Sequence, residues 1–330
     1  MRACFWCLIV LLLLPHAIMA QSDPLFTPHI ERHSNGWIDW SQGQIYANGL
    51  AYSDNNDGSR VKTTAAAQLV AAANIVKLAS GLQLDDRRTM EKLGNGTFII
   101  KLKAFLRYRE VKRNFVKNVS RPYAEVTLVT PLHGVEGLTA SLLTQLKKQP
   151  LQWQKFPLPD PATRHASGDE PWLVIDTRQL SRTAEVQPSL FPKVSSHNGQ
   201  TIYDLNKVYQ SSHTQRGLAR YVHSNASMEQ ILLSLQAPKT PIWQLWARWL
   251  NPVGTAWAKT RSKRPRYIVT SAEQVRGMAR TNLVISNHAA QNLRQEDAAS
   301  QILKDCRVII ITSAPIGGIE GKRRGEHLWL

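Results

Sequence analysis

The first patterned stretch of the chain is GWIDWSQGQIYANGLA, residues 36–51. Apolar side chains sit at even positions (Ile38, Trp40), and the apolar or small set then moves mainly to odd ones (Ile45, Ala47, Gly49 and Leu50–Ala51). A strand alternates its faces with period 2, so a one-residue shift would turn its core side chains into water. Gly43 stands at the change and predicts a bulge or bend within one strand, a bulge being the device that restores the register. The turn and cap residues SDNNDGSR, 53–60, lead into VKTTAAAQLVAAANIVKLASG. There Val61, Ala65, Leu69, Ala72, Val76 and Ala79 recur at spacings of three and four. The spacing predicts an amphipathic helix closed by Gly81, with a stripe of small residues suited to close approach onto a sheet.

Further along, TFIIKLKAFLRYREV, 97–111, fits helix and strand alike. RPYAEVTLVTPL, 121–132, alternates Tyr123, Glu125, Thr127 and Val129 against Ala124, Val126 and Leu128, which predicts a strand. VEGLTASLLTQLKKQ, with Val135, Leu138, Leu142 and Leu146, predicts a second helix stopped by Pro150. KFPLPDPATRHASGDEP, 155–171, is proline-rich and polar, the best domain boundary in the chain.

Beyond it WLVIDT reads as a buried strand, and HNGQTIYDL carries an Asn-Gly turn of hairpin type. RYIVTS, TNLVISN and CRVIIIT are short β-branched runs. A helical stretch of uneven periodicity, 288–305, lies between the last two, so a strand–helix–strand unit fits 282–312. No fixed repeat stands out.

The expected architecture is α+β, two small mixed α/β domains after a signal peptide, each a sheet with packed helices. The segments are a signal at 1–20, a linker at 21–35, an N-terminal domain at 36–150 and a proline-rich linker at 151–169. A C-terminal domain follows at 170–315 with a Trp-rich basic insertion at 238–266, and a basic tail ends the chain at 316–330.

The signal reading rests on the positive start Met1–Arg2, the apolar run Phe5–Leu14, the break at Pro15 and the small Ala20 before Gln21. Cys4 and Cys7 fall inside it, so the mature chain keeps Cys306 alone. No internal disulfide or cysteine metal cluster is then expected, and neither early cysteine stands where a lipid-modified one would. Charge narrows the partners: 41 Lys and Arg against 24 Asp and Glu give +17, a field that favours anionic surfaces. Export argues against nucleic acid as the partner. The expected location is the periplasm, peripheral to the outer membrane.

Candidate catalytic chemistry is sparse. The chain has no Gly-x-Ser-x-Gly and no His-Glu-x-x-His. GGIEGKRRGE, 317–326, is one residue short of a phosphate loop and places Arg323 where Ser or Thr should follow Lys322. His133, His165, His197, His213, His223 and His288 are scattered, without the convergence a metal needs. Asp169–Glu170 reads as a solvated doublet, Cys306 as a small core residue, and Asn95, Asn118 and Asn225 as sequons of unremarkable number. No catalytic, cofactor or metal residue is assigned, and a non-enzymatic protein is expected. A hydrolase with a dispersed site would need a pocket of converging polar groups.

One stretch rises above this background, TPIWQLWARWLNPVGTAWAKTRSKRPRY, 240–267. Trp243, Trp246 and Trp249 are spaced by three, along one side of a helix, and Lys259, Arg261, Lys263, Arg264 and Arg266 follow. Tryptophan beside cations is the composition of helices that lie in a membrane interface. These eight residues are the binding candidates, set against the plainer reading of a Trp-rich core helix and a solvated basic loop.

IDWSQGQIYANGLA, then TAAAQLVAAANIVKLASGLQLD, then AEVTLVTPLHGVEGL, resembles a bacterial envelope domain. That domain is shared by the N-terminal part of flagellar assembly protein T and small outer-membrane lipoproteins. PSLFPKVSSHNGQTIYDLNKVY and TNLVISNHAAQNL are similar to the C-terminal portion of longer members. The resemblance implies an envelope component without catalytic residues, bound to a protein partner or to itself, in a flagellar or secretion-type assembly. The basic Trp-rich segment implies the alternative, a peripheral binder of anionic membrane or cell wall.

Overall fold

The computed structural model describes residues 26–53, 59–93, 106–148, 153–162, 171–181, 185–231 and 267–313. In it the parity change at Gly43 marks a chain reversal, not a bulge. β1 (Thr27–Pro28), β2 (Ile30–His33), β3 (Gly36–Asp39) and β4 (Gln44–Tyr52) come first. β3 and β4 are the arms of a hairpin in which Ile38 faces Ile45 and Gly36 faces Ala47. Every cross-strand couple joins an even number to an odd one, so the switch of parity keeps both arms on one core face. Asp39 Oδ1 accepts from the backbone N–H of Ser41 and Gln42, both at 2.9 Å, and Gly43 closes the turn at φ +65°.

The predicted helix exists as α1 (Arg60–Gly81), but its buried face differs from the expected stripe. Thr64, Ala67, Ala71, Ile75 and Leu78 are buried with Ala79, whereas Val61 is 79% and Leu69 72% exposed. The approach of the helix sets this choice. Gly49 of β4 lies under Ala67 and Ala71, and only the smallest side chains allow such contact.

A single helical turn, Met90–Leu93, precedes β5 (Arg109–Val116), β6 (Tyr123–Pro131) and α2 (Leu138–Leu146). The ambiguous 97–111 stretch is strand from Arg109; residues 97–105 lie outside the described ones. Val135 stands before α2 and is exposed, while Leu138, Leu142 and Leu146 are buried as the spacing predicts. The five-stranded sheet runs β2-β3-β4-β6-β5, antiparallel throughout. α1 covers the face that carries Ile45, Ala47, Ala124, Val126 and Leu128.

The second sheet takes β7 (Trp172–Asp176), β8 (Lys193–Ser196), β9 (Thr201–Tyr203), β10 (Arg220–His223), β11 (Tyr267–Arg276), β12 (Asn282–Ile285) and β13 (Val308–Thr312). Helix α3 (Gln210–Arg216) precedes β10, and α4 (Asn287–Ser300) joins β12 to β13. With β1 at one edge its order is β1-β10-β13-β7-β11-β12-β8-β9. β10, β13, β7 and β11 are parallel, which accounts for the unbroken apolar runs LVI and VIII. The Asn-Gly hairpin is β8–β9, with Gly199 at φ +85°. The strand–helix–strand unit over 282–312 is present, but β12 runs opposite to β13 and lies three places away in the sheet.

The two sheets share one hydrophobic cluster. The chain passes between them at its described start: Thr27 pairs with His223, and Ile30 three residues later pairs with Asp39. In the proline-rich stretch Trp153 is 2% exposed, and Leu158 bridges to Tyr209. Among the described residues no helix is long and apolar enough to cross a membrane.

Candidate functional site

Three places gather polar side chains. The first is the junction of the sheets. The turn after β6 places the His133 ring against Gly217, the residue closing α3 at φ +71°, and Gly134 N–H donates to Thr214 O at 2.6 Å. His133 Nδ1 lies 3.4 Å from Thr139 Oγ1. His213 is fully buried against Phe191, and neither ring nitrogen has a hydrogen-bond partner. Burial pushes His133 down to about 4; burial, then the neighbouring His133, pushes His213 down to about 3. Both rings are neutral at physiological pH. A cavity of about 580 Å³ opens here between Trp40, Gln42, His133, Trp172, Arg220 and Cys306. A thiol nucleophile wants a base matched to neutral pH, and His133 is displaced far from it. Cys306 is buried at φ +55° in the turn before β13.

The second place is the carboxyl end of the parallel strands, where ligands of open α/β sheets commonly bind. His29 stacks on His223 with centroids 4.1 Å apart. Thr312 Oγ1 donates to Val222 O and lies 3.2 Å from His29 Nδ1 and 2.7 Å from His223 Nδ1. One hydroxyl thus bridges a backbone carbonyl and both imidazoles. Burial, then the charge of His223, brings His29 down to about 3. Next to them Asp176 accepts from Arg178 Nε at 2.9 Å and Nη2 at 2.8 Å, and Arg178 also donates to Ala226 O. Burial raises the Asp176 carboxyl, but the Arg178 hydrogen bonds outweigh it and hold the group below its ordinary value. These groups satisfy one another and present no unmatched charge to a ligand.

The third is the face of the five-stranded sheet opposite α1. Pairing puts Arg32, Trp37, Tyr46, Val129 and Arg109 in one row across five strands. Asn48, Thr127 and Lys112 form the next row; Leu50, Glu125 and Asn114 follow, then Tyr52 and Tyr123. Trp37 stacks on Tyr46 at 4.8 Å and 10°, and Tyr52 meets Tyr123 at 5.9 Å with the Arg121 guanidinium 5.0 Å from the Tyr52 ring. Leu50 is 44% and Tyr52 50% exposed, and Arg32, Asn48, Arg109, Lys112, Asn114 and Glu125 are exposed too. Burial and Asp39 raise the Tyr46 phenol, with Arg109 pulling the other way. A solvated face normally alternates polar residues outward. Here two aromatic pairs stand there as well, among four cations and other polar side chains.

The residues singled out from sequence, Trp243, Trp246, Trp249, Lys259, Arg261, Lys263, Arg264 and Arg266, all lie outside the described residues. The histidine pairs escaped notice because His29–His223 and His133–His213 meet only through tertiary pairing. The aromatic face was detectable: Tyr46, Tyr52 and Tyr123 occupy the outward parity of strands whose inward set is apolar. Among the described residues no group of three or more His, Cys, Asp or Glu is placed to hold a metal.

No curated protein matches the chain. A family model described as Treponema pallidum Tp0624, second domain, matches residues 172–242 and 247–314, from the start of β7 to just past β13. The gap in the match falls inside the Trp-rich stretch, and the match gives no support to a link with flagellar assembly protein T. The chain from β7 to β13 is thus similar to the second domain of Treponema pallidum Tp0624.

Proposed function

We propose that the protein is a non-enzymatic envelope component, exported to the periplasm and working by binding another envelope structure. The observation that carries this reading is the open sheet face, where aromatic rings and cations stand on the solvent side of strands whose other side is a closed core. Its support is the signal-like start, the charge of +17 and the likeness of the second half to a domain of a spirochaete protein. The polar groups at the junction and at the strand ends are neutral or internally paired, which supports binding over catalysis. A place beside a flagellar or secretion-type ring, by contact with a protein partner or by self-association, is the narrower form of this reading.

In-cell photo-crosslinking from position 50, with fractionation and intact-mass measurement of the mature chain, tests it. A mature chain starting at Gln21, found in the periplasmic or outer-membrane fraction and crosslinked there, is expected. A cytoplasmic chain retaining Met1 overturns it.

A second reading has its own observation, the tryptophans at 243, 246 and 249 followed by five cations. Docking on an anionic membrane through that segment would blue-shift tryptophan emission with phosphatidylglycerol vesicles, and Trp246→Ala would reduce the shift. Unchanged emission removes this reading.

A further inference from the structure

We propose that the open face of the five-stranded sheet binds a linear acidic polysaccharide, one in which charged sugar units alternate with neutral ones. This rests on the reading of that face as the binding surface and names the chemistry of its occupant.

The two aromatic pairs stand at opposite ends of the face. Tyr46 and Tyr52 share β4 and are six residues apart, which at the rise of a strand is about 20 Å. That span exceeds a single sugar ring and matches an extended oligomer lying along the strand. A pyranose offers C–H bonds to an aromatic ring from its flat side and hydroxyls from its rim. Between the aromatic ends the face supplies partners for such a rim: Asn48 of β4, whose Oδ1 accepts from Thr127 Oγ1 at 2.9 Å, and Asn114 of β5, two strands away.

Charge decides the rest. Arg32 and Arg109 flank the Trp37–Tyr46 pair, Lys112 stands in the next row, and Arg121 lies over Tyr52. The guanidinium forks suit carboxylates, which they bind through two parallel hydrogen bonds. One exposed acid, Glu125, breaks the run, opposite Leu50 and beside Asn114. A single-stranded nucleic acid would stack on the same rings but bring a phosphate to Glu125 at any register. A glycan of alternating charge can set a neutral unit there, so the exposed Glu125 favours the glycan and fixes its phase.

The probe is a hyaluronan oligosaccharide, whose uronate and N-acetylated units alternate, titrated into the full chain by calorimetry. Binding that weakens as salt rises is expected. Arg109→Gln should weaken it by roughly tenfold, the scale of a charge-assisted hydrogen bond, and Tyr52→Ala, which removes a stacking ring, by roughly tenfold as well. Arg109 is exposed, so its variant should keep the wild-type melting temperature; Tyr52→Ala loses only the surface contacts with Tyr123 and Arg121 and should stay folded, and Arg294→Gln on α4 should leave binding intact. Absence of hyaluronan binding overturns the proposal, as does equal binding by the two face variants. Tighter binding of oligo-dT or of phosphatidylglycerol vesicles through the same residues overturns it in favour of those partners. A protein captured through position 50 in cells, with no hyaluronan bound, overturns the glycan and leaves the wider reading standing. Capture of nothing together with no hyaluronan bound overturns both.

Discussion

Gly49 of β4 sits directly beneath Ala67 of α1: a methyl group on Gly49 would fall 2.0 Å from the Ala67 carbonyl oxygen and 2.4 Å from the Ala71 nitrogen. Backbone atoms cannot swing aside as a side chain can. Gly49→Ala should therefore push the helix off the sheet and lower stability by about 1–3 kcal/mol, the usual cost of overpacking. Leu69→Gln, on the far side of the same helix, should stay within about 0.5 kcal/mol. Urea unfolding of both variants checks the pair. A costly Leu69→Gln beside a harmless Gly49→Ala would mean the helix is seated on its other face.

That contrast shows where sequence reasoning stopped. The helix was legible over its whole length, but the face was not, because a run rich in alanine carries little size contrast. What selects the face is a glycine on another strand. β6, β7, β13 and the Asn198–Gly199 hairpin were legible because alternation, unbroken β-branched runs and turn chemistry are local signals. The hairpin at Gly43 was misread as one bulged strand, since a parity change alone does not distinguish a reversal from an insertion. The aromatic face left a signal in the outward parity of Tyr46 and Tyr52, but which rings stand side by side is given only by the strand pairing.

Acid should loosen the molecule well before its carboxylates titrate. His29, His133 and His213 are brought from 6.5 to about 3, 4 and 3 by burial. Their folded values lie below the unfolded one, so the unfolded chain takes up protons first. Their contribution is whole above pH 6.5 and is lost as pH falls towards 3–4. Between pH 6.5 and 5 each group should cost about 2 kcal/mol. Urea midpoints should drop across that interval. His213→Phe should flatten the decline, since it removes two unpartnered nitrogens and keeps a ring against Phe191. An equally steep decline in that variant would remove His213 from the account.

Gly217 holds the junction of the sheets. Its φ of +71° is unfavourable for other residues, and a Cβ there would lie 2.3 Å from the His133 ring. Gly217→Ala should cost at least about 2 kcal/mol through strain and collision together. It should also open the His133 turn to limited proteolysis. Wild-type resistance in a variant of normal stability would show the contact to be dispensable.

Asp176 and Arg178 should behave as a coupled pair. Arg178→Met strands a buried carboxylate and should cost roughly 3 kcal/mol. With Asp176→Asn added, the double variant should lose less than the two single losses combined. Strict additivity in denaturant unfolding would mean that the two side chains do not support each other.

The passage of the chain from one sheet to the other at Thr27–Ile30 governs when this protein can finish folding. The residues nearest the N-terminus are synthesised first, yet β1 finds its partner in β10, almost two hundred residues later in order of emergence. β10 in turn lies against β13, near the end of the described chain. The first described strand must wait, unpaired, for the tenth. Closure of so long a loop is slow, so a chain made from its N-terminus spends much of its synthesis with an edge exposed. That interval, rather than the finished structure, is when a chaperone would find it.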